Sequence, residues 1–265
     1  MKLSYTTYLI GAGLSFDESV GLALSTGCAG IEFRTGNIFP HGVETSLTPE
    51  QRREKRRAIE DKYLEVSCLN SQFELHYADA AQRRAAVEGI GEMAGLAADL
   101  GCPSVRVFGN MIPEGVNAQD CVKYVGEALG EAARLAAPYG VDILLEMHGQ
   151  YNYWGYALPA IKYAGMPNTG ILYNCDNRDL VGGSIRETFS RVKRYVRHVH
   201  MHDFGMGYPY LQLFEELALM DYEGYVSAEI NGSSEPARVL GLHNECVRAL
   251  YDQARLRVGA GLAGR

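Results

Sequence analysis

Three observations in the amino-acid sequence predict a single closed (β/α)8 TIM barrel spanning residues 1–265. Eight short apolar runs of buried-strand type alternate with eight stretches of helical periodicity. The last four runs begin at positions 141, 170, 196 and 225, intervals of 29, 26 and 29 residues, which fit one strand, one helix and two short loops. The chain is also close to the roughly 250 residues typical of such a barrel, and no Pro/Ser-rich linker or low-complexity tract divides it.

The elements follow in order. Lys2-Leu3-Ser4-Tyr5 opens the first strand, and a helix is expected over 16–25. Gly30-Ile31-Glu32-Phe33-Arg34 is the second strand, followed by a helix over 49–63. The third strand, over 64–70, leads to the clearest helix, from Asp79 as N-cap to Leu100, with Ala85, Val87, Ile90, Met93, Ala94 and Ala97 mostly three and four apart. Ser104-Val105-Arg106-Val107-Phe108 precedes a helix over 118–137. The second half repeats the unit, with strands over 141–146, 170–174, 196–203 and 225–229 and helices over 158–164, 185–195, 210–220 and 236–256. An open doubly wound sheet is the rival, but Gly11-Ala12-Gly13 after the first strand lacks a third glycine at the offset a phosphate-binding turn requires.

Composition excludes several function classes. A content of 47% hydrophobic residues with a net charge of −7 describes a soluble globular chain without a membrane anchor. The start, Met1-Lys2-Leu3-Ser4-Tyr5, has no apolar core of signal-peptide length, so a cytoplasmic location is expected. Six cysteines without a CxxC pair read as free buried thiols of a reducing compartment. The basic run Arg52-Arg53-Glu54-Lys55-Arg56-Arg57 shares its helix with Glu50, Glu60 and Asp61, a solvated face laced with charge pairs. An acidic chain is poorly placed to exploit the counterion release that drives nucleic-acid binding.

Chemistry gathers at the ends of the last four strands. Glu146, the pair Asn174 and Asp176, His200 and Glu229 each follow an apolar run, so on consecutive parallel strands they would converge on one divalent cation at the barrel mouth. A bare buried carboxylate is costly, and the alternative for Glu146 is an ion pair with Arg106. His198, His200 and His202 share one strand face. The deepest, His198, reads as a core residue fixing a neighbour, His200 as the metal ligand, and His202 as a contact to substrate or to a carboxylate. Glu229, opposite Glu146 in a closed barrel, suits a pair of carboxylates that move one proton off and on a substrate carbon.

These residues resemble the xylose isomerase-like barrels, which include sugar isomerases and ketose 3-epimerases. The resemblance runs from Gly30-Ile31-Glu32 to the strand ending at Glu229 and is strongest in His198-Val199-His200 with Asp203 downstream, an HxHxxD strand that selects His200. It implies one divalent cation, Mn, Co or Mg, held by Glu146, a residue of the sixth strand, His200 and Glu229, with the two glutamates as acid and base. The family's DxxH falls on Asn174-Cys175-Asp176-Asn177, so either the Asn174 amide oxygen or Asp176 takes the ligand position. Glu146-Met147-His148 is similar to metal-dependent subunits that eliminate an aglycone from 3-keto C-glycosides, where the histidine is the general base.

The expected function is therefore a metal-dependent sugar or keto-sugar isomerase or epimerase, with catalytic Glu146, Glu229 and His148. Substrate would be oriented by Glu32, Arg34, Arg106, His202 and Trp154, the last among aromatic residues suited to stacking on a sugar. The runner-up is a lyase on 3-keto glycosides, and the non-enzyme alternative is a decayed sugar- or partner-binding barrel. Partners would be a small sugar or glycoside, with further copies of the chain or a small second subunit in the assembly.

Overall fold

Along most strands the residues alternate between an apolar coat and a largely polar lining. The computed structural model describes residues 1–36 and 38–263, with strands β1 (Lys2–Thr6), β2 (Gly30–Arg34), β3 (Glu65–Glu74), β4 (Ser104–Phe108), β5 (Asp142–Glu146), β6 (Thr169–Asn174), β7 (Val196–Met201) and β8 (Tyr225–Ala228). Ile31 and Phe33, Val105 and Val107, Ile143 and Leu145, and Val199 and Met201 belong to the main apolar core. The residues between them, Glu32, Arg106, Leu144, His198 and His200, take the opposite face, as a period of two requires. All neighbouring strands pair parallel in chain order and β1 closes on β8, a complete (β/α)8 barrel.

Helices α1 (Phe16–Ser25), α2 (Pro49–Glu60), α3 (Ala80–Asp99), α4 (Ala118–Ala136), α5 (Trp154–Ala164), α6 (Arg186–Val192), α7 (Tyr210–Leu219) and α8 (Pro236–Gly259) surround the strands. Local chemistry starts several of them. Ser15 with Glu18 and Thr48 with Gln51 form reciprocal capping boxes, and Pro49 opens α2 where its missing N–H costs nothing. All six cysteines are unpaired thiols, five of them buried. Among the described residues no helix is long and apolar enough to cross a membrane.

Several boundaries differ from expectation, among them the end of β7 at Met201 rather than 203, and two of them bear on the site. Helix α5 begins at Trp154 rather than at position 158, so Pro159 lies inside it, where a pattern-based reading places a helix start. Strand β3 continues past Asn70 to Glu74 through a register irregularity, so Glu74 pairs with Phe108 of β4 at the rim. That irregularity carries a carboxylate to the mouth of the barrel.

Helices α4 and α5 cross closely because α4 has glycines at the contact. A Cβ on Gly130 would lie 2.5 Å from the Ala164 carbonyl oxygen, and one on Gly126 would lie 2.6 Å from that of Ala160. Backbone cannot yield as a side-chain end can. Gly130→Ala is therefore expected to lower stability by about 1–3 kcal/mol in denaturant titration, against a helix-propensity gain of about 1 kcal/mol. An unchanged or raised midpoint would contradict close packing here.

The loop after β6 is pinned by a buried acid. Asp179 accepts hydrogen bonds from the Tyr173 and Tyr208 hydroxyls, the latter at 2.9 Å, and its backbone carbonyl accepts from Thr188 Oγ1 at 2.7 Å. Burial raises its pKa from 3.8 to about 6, beyond what the two tyrosine bonds hold down. The folded state thus holds this proton more tightly than the unfolded chain. Its contribution is fully present below pH 3.8 and is lost by pH 6, a difference of about 3 kcal/mol. Asp179→Asn, which keeps an acceptor and loses the titration, should gain Tm relative to the wild type as pH rises from 4 to 7. A pH-independent difference in Tm would contradict this.

Candidate metal centre

Strands β5, β7 and β8 end at one level and bring three ligand groups together. Glu146 closes β5, His200 is the fifth residue of β7, and Glu229 follows β8 with its N–H bonded to the Met201 carbonyl at 2.9 Å. One ligand atom from each lies within 4.8 Å of the other two. His200 Nδ1 stands 3.5 Å from Glu146 Oε1 and 3.3 Å from Glu229 Oε2. It is fully buried and has no hydrogen-bond partner.

The orientation of His200 is set from below. Its Nε2 donates to Glu32 Oε1 at 2.8 Å, and His198 Nε2 donates to Glu32 Oε2 at 3.1 Å. A carboxylate can only accept, so both Nε2 atoms carry hydrogen, and a neutral His200 has its lone pair on Nδ1 facing the two glutamates. Burial opposes a charge on His200, but the carboxylates of Glu32 and Glu229 outweigh it and raise its pKa well above the ordinary range. A proton and a cation therefore compete for Nδ1. Glu32, His198 and His200 form a second cluster of ligand type, but both Nε2 atoms there are already bonded to the carboxylate.

Glu146 has two different sides. Oε1 accepts from Asn174 Nδ2 at 2.8 Å, and Oε2 lies 3.1 Å from Arg106 Nε without the alignment of a hydrogen bond. Burial raises the carboxyl's pKa, but Arg106, followed by His200, more than reverses this and brings it down to about 2. An orphaned imidazole nitrogen, an orphaned carboxylate oxygen and a second carboxylate within reach fit a hard or borderline divalent cation.

On β6, Asn174 rather than Asp176 joins this cluster. Asp176 caps a short turn after the strand and is taken up by Arg178, whose Nε lies 2.9 Å from both carboxylate oxygens. Asn174 spans Glu146 and His202, with Oδ1 at 2.6 Å from His202 Nε2. His202 Nδ1 donates to the Glu229 backbone carbonyl at 3.0 Å, which only accepts. Turning the Asn174 amide end for end would let Nδ2 donate to His202 Nε2 and point Oδ1 at the cluster, the orientation an oxygen ligand needs.

Other expected site residues are dispersed. Glu32, expected to orient substrate, is 0% exposed beneath two imidazoles, because the closed barrel seals that layer. Trp154 lies at the start of α5 beneath the Arg191 guanidinium, 5.0 Å from its ring centre, with no bond to the cluster. Arg34 and Arg106 do flank Glu146 on the β2 and β4 side. Near His148, sequence reasoning missed two residues. Glu74 accepts from Asn110 Nδ2 at 2.8 Å, which leaves Asn110 Oδ1 to accept from His148 Nδ1 at 3.0 Å. Nε2 of a neutral His148 is therefore the free acceptor. The sequence signal for Asn110 is its place after Gly109, since it adopts a φ of 57° that asparagine tolerates. A cavity of about 410 Å³ opens beside it, lined by Asn110, Met111, Gly149, Gln150, Tyr153 and Arg178 among others.

Glu32→Gln removes the negative charge and turns one of the two oxygens that fix the imidazoles into a donor. It should weaken Mn²⁺ binding by roughly 10- to 100-fold in titration calorimetry, and wild-type affinity should fall as acid protonates His200 Nδ1. Unchanged affinity would show that the ring is held by packing alone.

Residues 20–249 match the family described as Xylose isomerase-like TIM barrel. A 2-oxo-tetronate isomerase from Cupriavidus necator is 26% identical over 57% of this chain, and the match spans 64% of that relative's length. An L-ribulose 3-epimerase structure superposes with a TM-score of 0.81 at 17% identity, covering 100% of this chain and 99% of the other. The structure of IOLI protein with a binding zinc atom gives 0.76 at 16% identity, covering 97% and 99%.

Proposed function

Because the chain belongs to the xylose isomerase-like TIM-barrel family, we propose that it is a divalent-metal-dependent isomerase or epimerase. It would move a proton on a carbon next to the carbonyl of a sugar or keto-sugar. The observation that carries this reading is His200 Nδ1, buried and without a hydrogen-bond partner between Glu146 and Glu229. Similarity to a 2-oxo-tetronate isomerase supports isomerisation as the reaction type.

Glu146, His200 and Glu229 would hold the ion, with Asn174 Oδ1 as the fourth donor once its amide is reversed. A bound divalent cation would supply Lewis-acid polarisation of a carbonyl and its neighbouring hydroxyl. The chain's own residues handle the proton. Glu229, 12% exposed at the mouth, is the accessible base that removes it from carbon. Glu146, held ionised through its contact with Arg106, would serve as the second base of the pair, and the proton taken up by Glu229 would be returned to the product carbon after exchange with solvent. His202, bonded to the Glu229 backbone and to Asn174, holds the edge of that path.

A second reading has its own support. His148, with Nε2 free and Nδ1 anchored through Asn110 to Glu74, stands beside the rim cavity. That arrangement suits a base that expels an aglycone from a 3-keto glycoside. The two readings separate in one assay, with the Mn²⁺-reconstituted protein incubated in heavy water with ketoses, 2-oxo sugar acids and 3-keto glycosides. Deuterium should enter at a carbon beside the carbonyl, and Glu229→Gln should lower that rate by about 10²- to 10⁴-fold. Aglycone release that depends on His148 would favour the lyase. Exchange that survives metal removal would sink the mechanism, and the absence of metal binding and exchange alike would favour a binding barrel.

A further inference from the structure

Two guanidiniums beside the centre are underused. Arg106 is 1% exposed, and its Nε and Nη1 make no hydrogen bond. Among the described residues its charge is met by the misaligned Glu146 contact and by the Phe108 ring, 3.8 Å from its guanidinium carbon. Among the same residues the Arg34 side chain makes one long bond, Nη1 to the Ser71 carbonyl at 3.4 Å, and its buried Nε has no partner. It lies over the Tyr8 ring at 5.3 Å. Burial, and then the repulsion of Arg106, lowers its pKa from 12.5 to about 10. Five N–H donors per guanidinium are costly to leave unmet.

Charge balance gives these donors a purpose. A divalent cation is cancelled by Glu146 and Glu229, and Asn174, which sits against Glu146, contributes no charge. Asp176 is cancelled by Arg178, and Asp203 turns away to the Asn231 side chain. Glu32 offsets one of the two arginines. One positive charge is left over in the loaded centre, and Arg34, half-buried where Arg106 is sealed, is the group that can present it. A planar fork with free N–H groups matches a carboxylate. The fork suits phosphate as well, but a single surplus positive charge balances a monoanion and leaves a phosphate dianion half-neutralised.

We infer that the substrate carries a carboxylate, that Arg34 receives it with Arg106 behind, and that the neutral Asn174 is what leaves room for its charge. This rests on the metal-dependent reading above, since the surplus exists only with the cation bound. The substrate class is then a keto or hydroxy sugar acid rather than a neutral ketose.

The test is titration calorimetry on the Mn²⁺-loaded protein with erythronate, its neutral counterpart erythritol, and inorganic phosphate. Erythronate should bind at least tenfold more tightly than erythritol. Arg34→Gln should cut that preference to about threefold or less, and Arg34→Lys, which keeps the charge and loses the fork, should recover part of it. Asn174→Asp should weaken erythronate about tenfold or more, and by a larger factor than it weakens erythritol. Equal affinity for the two compounds, a preference for erythronate that ignores Arg34, or tighter binding of phosphate would overturn the inference. Proton exchange separates the two claims. Neutral ketoses exchanging without any erythronate preference would sink the carboxylate and keep the isomerase, whereas Arg34-dependent erythronate binding with no exchange on any substrate would do the reverse.

Discussion

The centre depends on one buried carboxylate. Glu32 sits at 0% exposure beneath two imidazoles and gives one oxygen to each. Buried ionised groups survive only when every lone pair is used, and Glu32 is held ionised because His200 and then His198 overcome the cost of its burial. From this follow the tautomer of His200, the exposure of its Nδ1 to Glu146 and Glu229, and the level at which a cation would sit. Were Glu32 neutral, His200 would be free to rotate, and the convergence of three strand ends would no longer define a point.

Such a lining is tolerable because the fold is stabilised elsewhere. The apolar core lies between the strands and the helices, and the barrel interior carries Arg106, Glu146, Asn174, His198 and His200 instead. Several of these atoms are buried without partners, an arrangement that costs about 1–3 kcal/mol for each group. Folding and function are thereby divided between two faces of the same strands. The outer face can be read as packing, and the inner face answers to chemistry.

That division also explains what the sequence could reveal. The convergence of Glu146, His200 and Glu229 was legible because an apolar run that ends in an acid or imidazole is a poor way to build a core. Which of Asn174 and Asp176 lies beside them was not, since they share strand parity. It follows from where the strand stops, for β6 ends at Asn174 and Asp176 turns back to Arg178. Glu74 left no signal in the sequence, and Asn110 only its place after Gly109, for a related reason. The register irregularity in β3 and a left-handed backbone at Asn110 bring them to His148, and neither leaves a periodic trace. Glu32 was placed on its strand, but its depth depends on closure of the barrel.

Strand order gives the site a direction. β2 and β4 carry the two arginines, β5 to β8 carry the ligand groups, and the rim cavity with His148 lies over the β4 to β6 loops. On the inference above, a ligand held by its acidic end at Arg34 would lie on the side of the barrel that carries the two arginines, with Glu146 and Glu229 as neighbours. Tyr153 and Arg178 line the cavity over the following loops. One geometry thus accounts for two features that composition alone leaves unrelated, cationic residues held at a cost on one side of the barrel and an open, partly aromatic cavity on its rim. The neutral amide at position 174 belongs to the same design, since a carboxylate there would compete with the ligand's own charge for the arginines that position it.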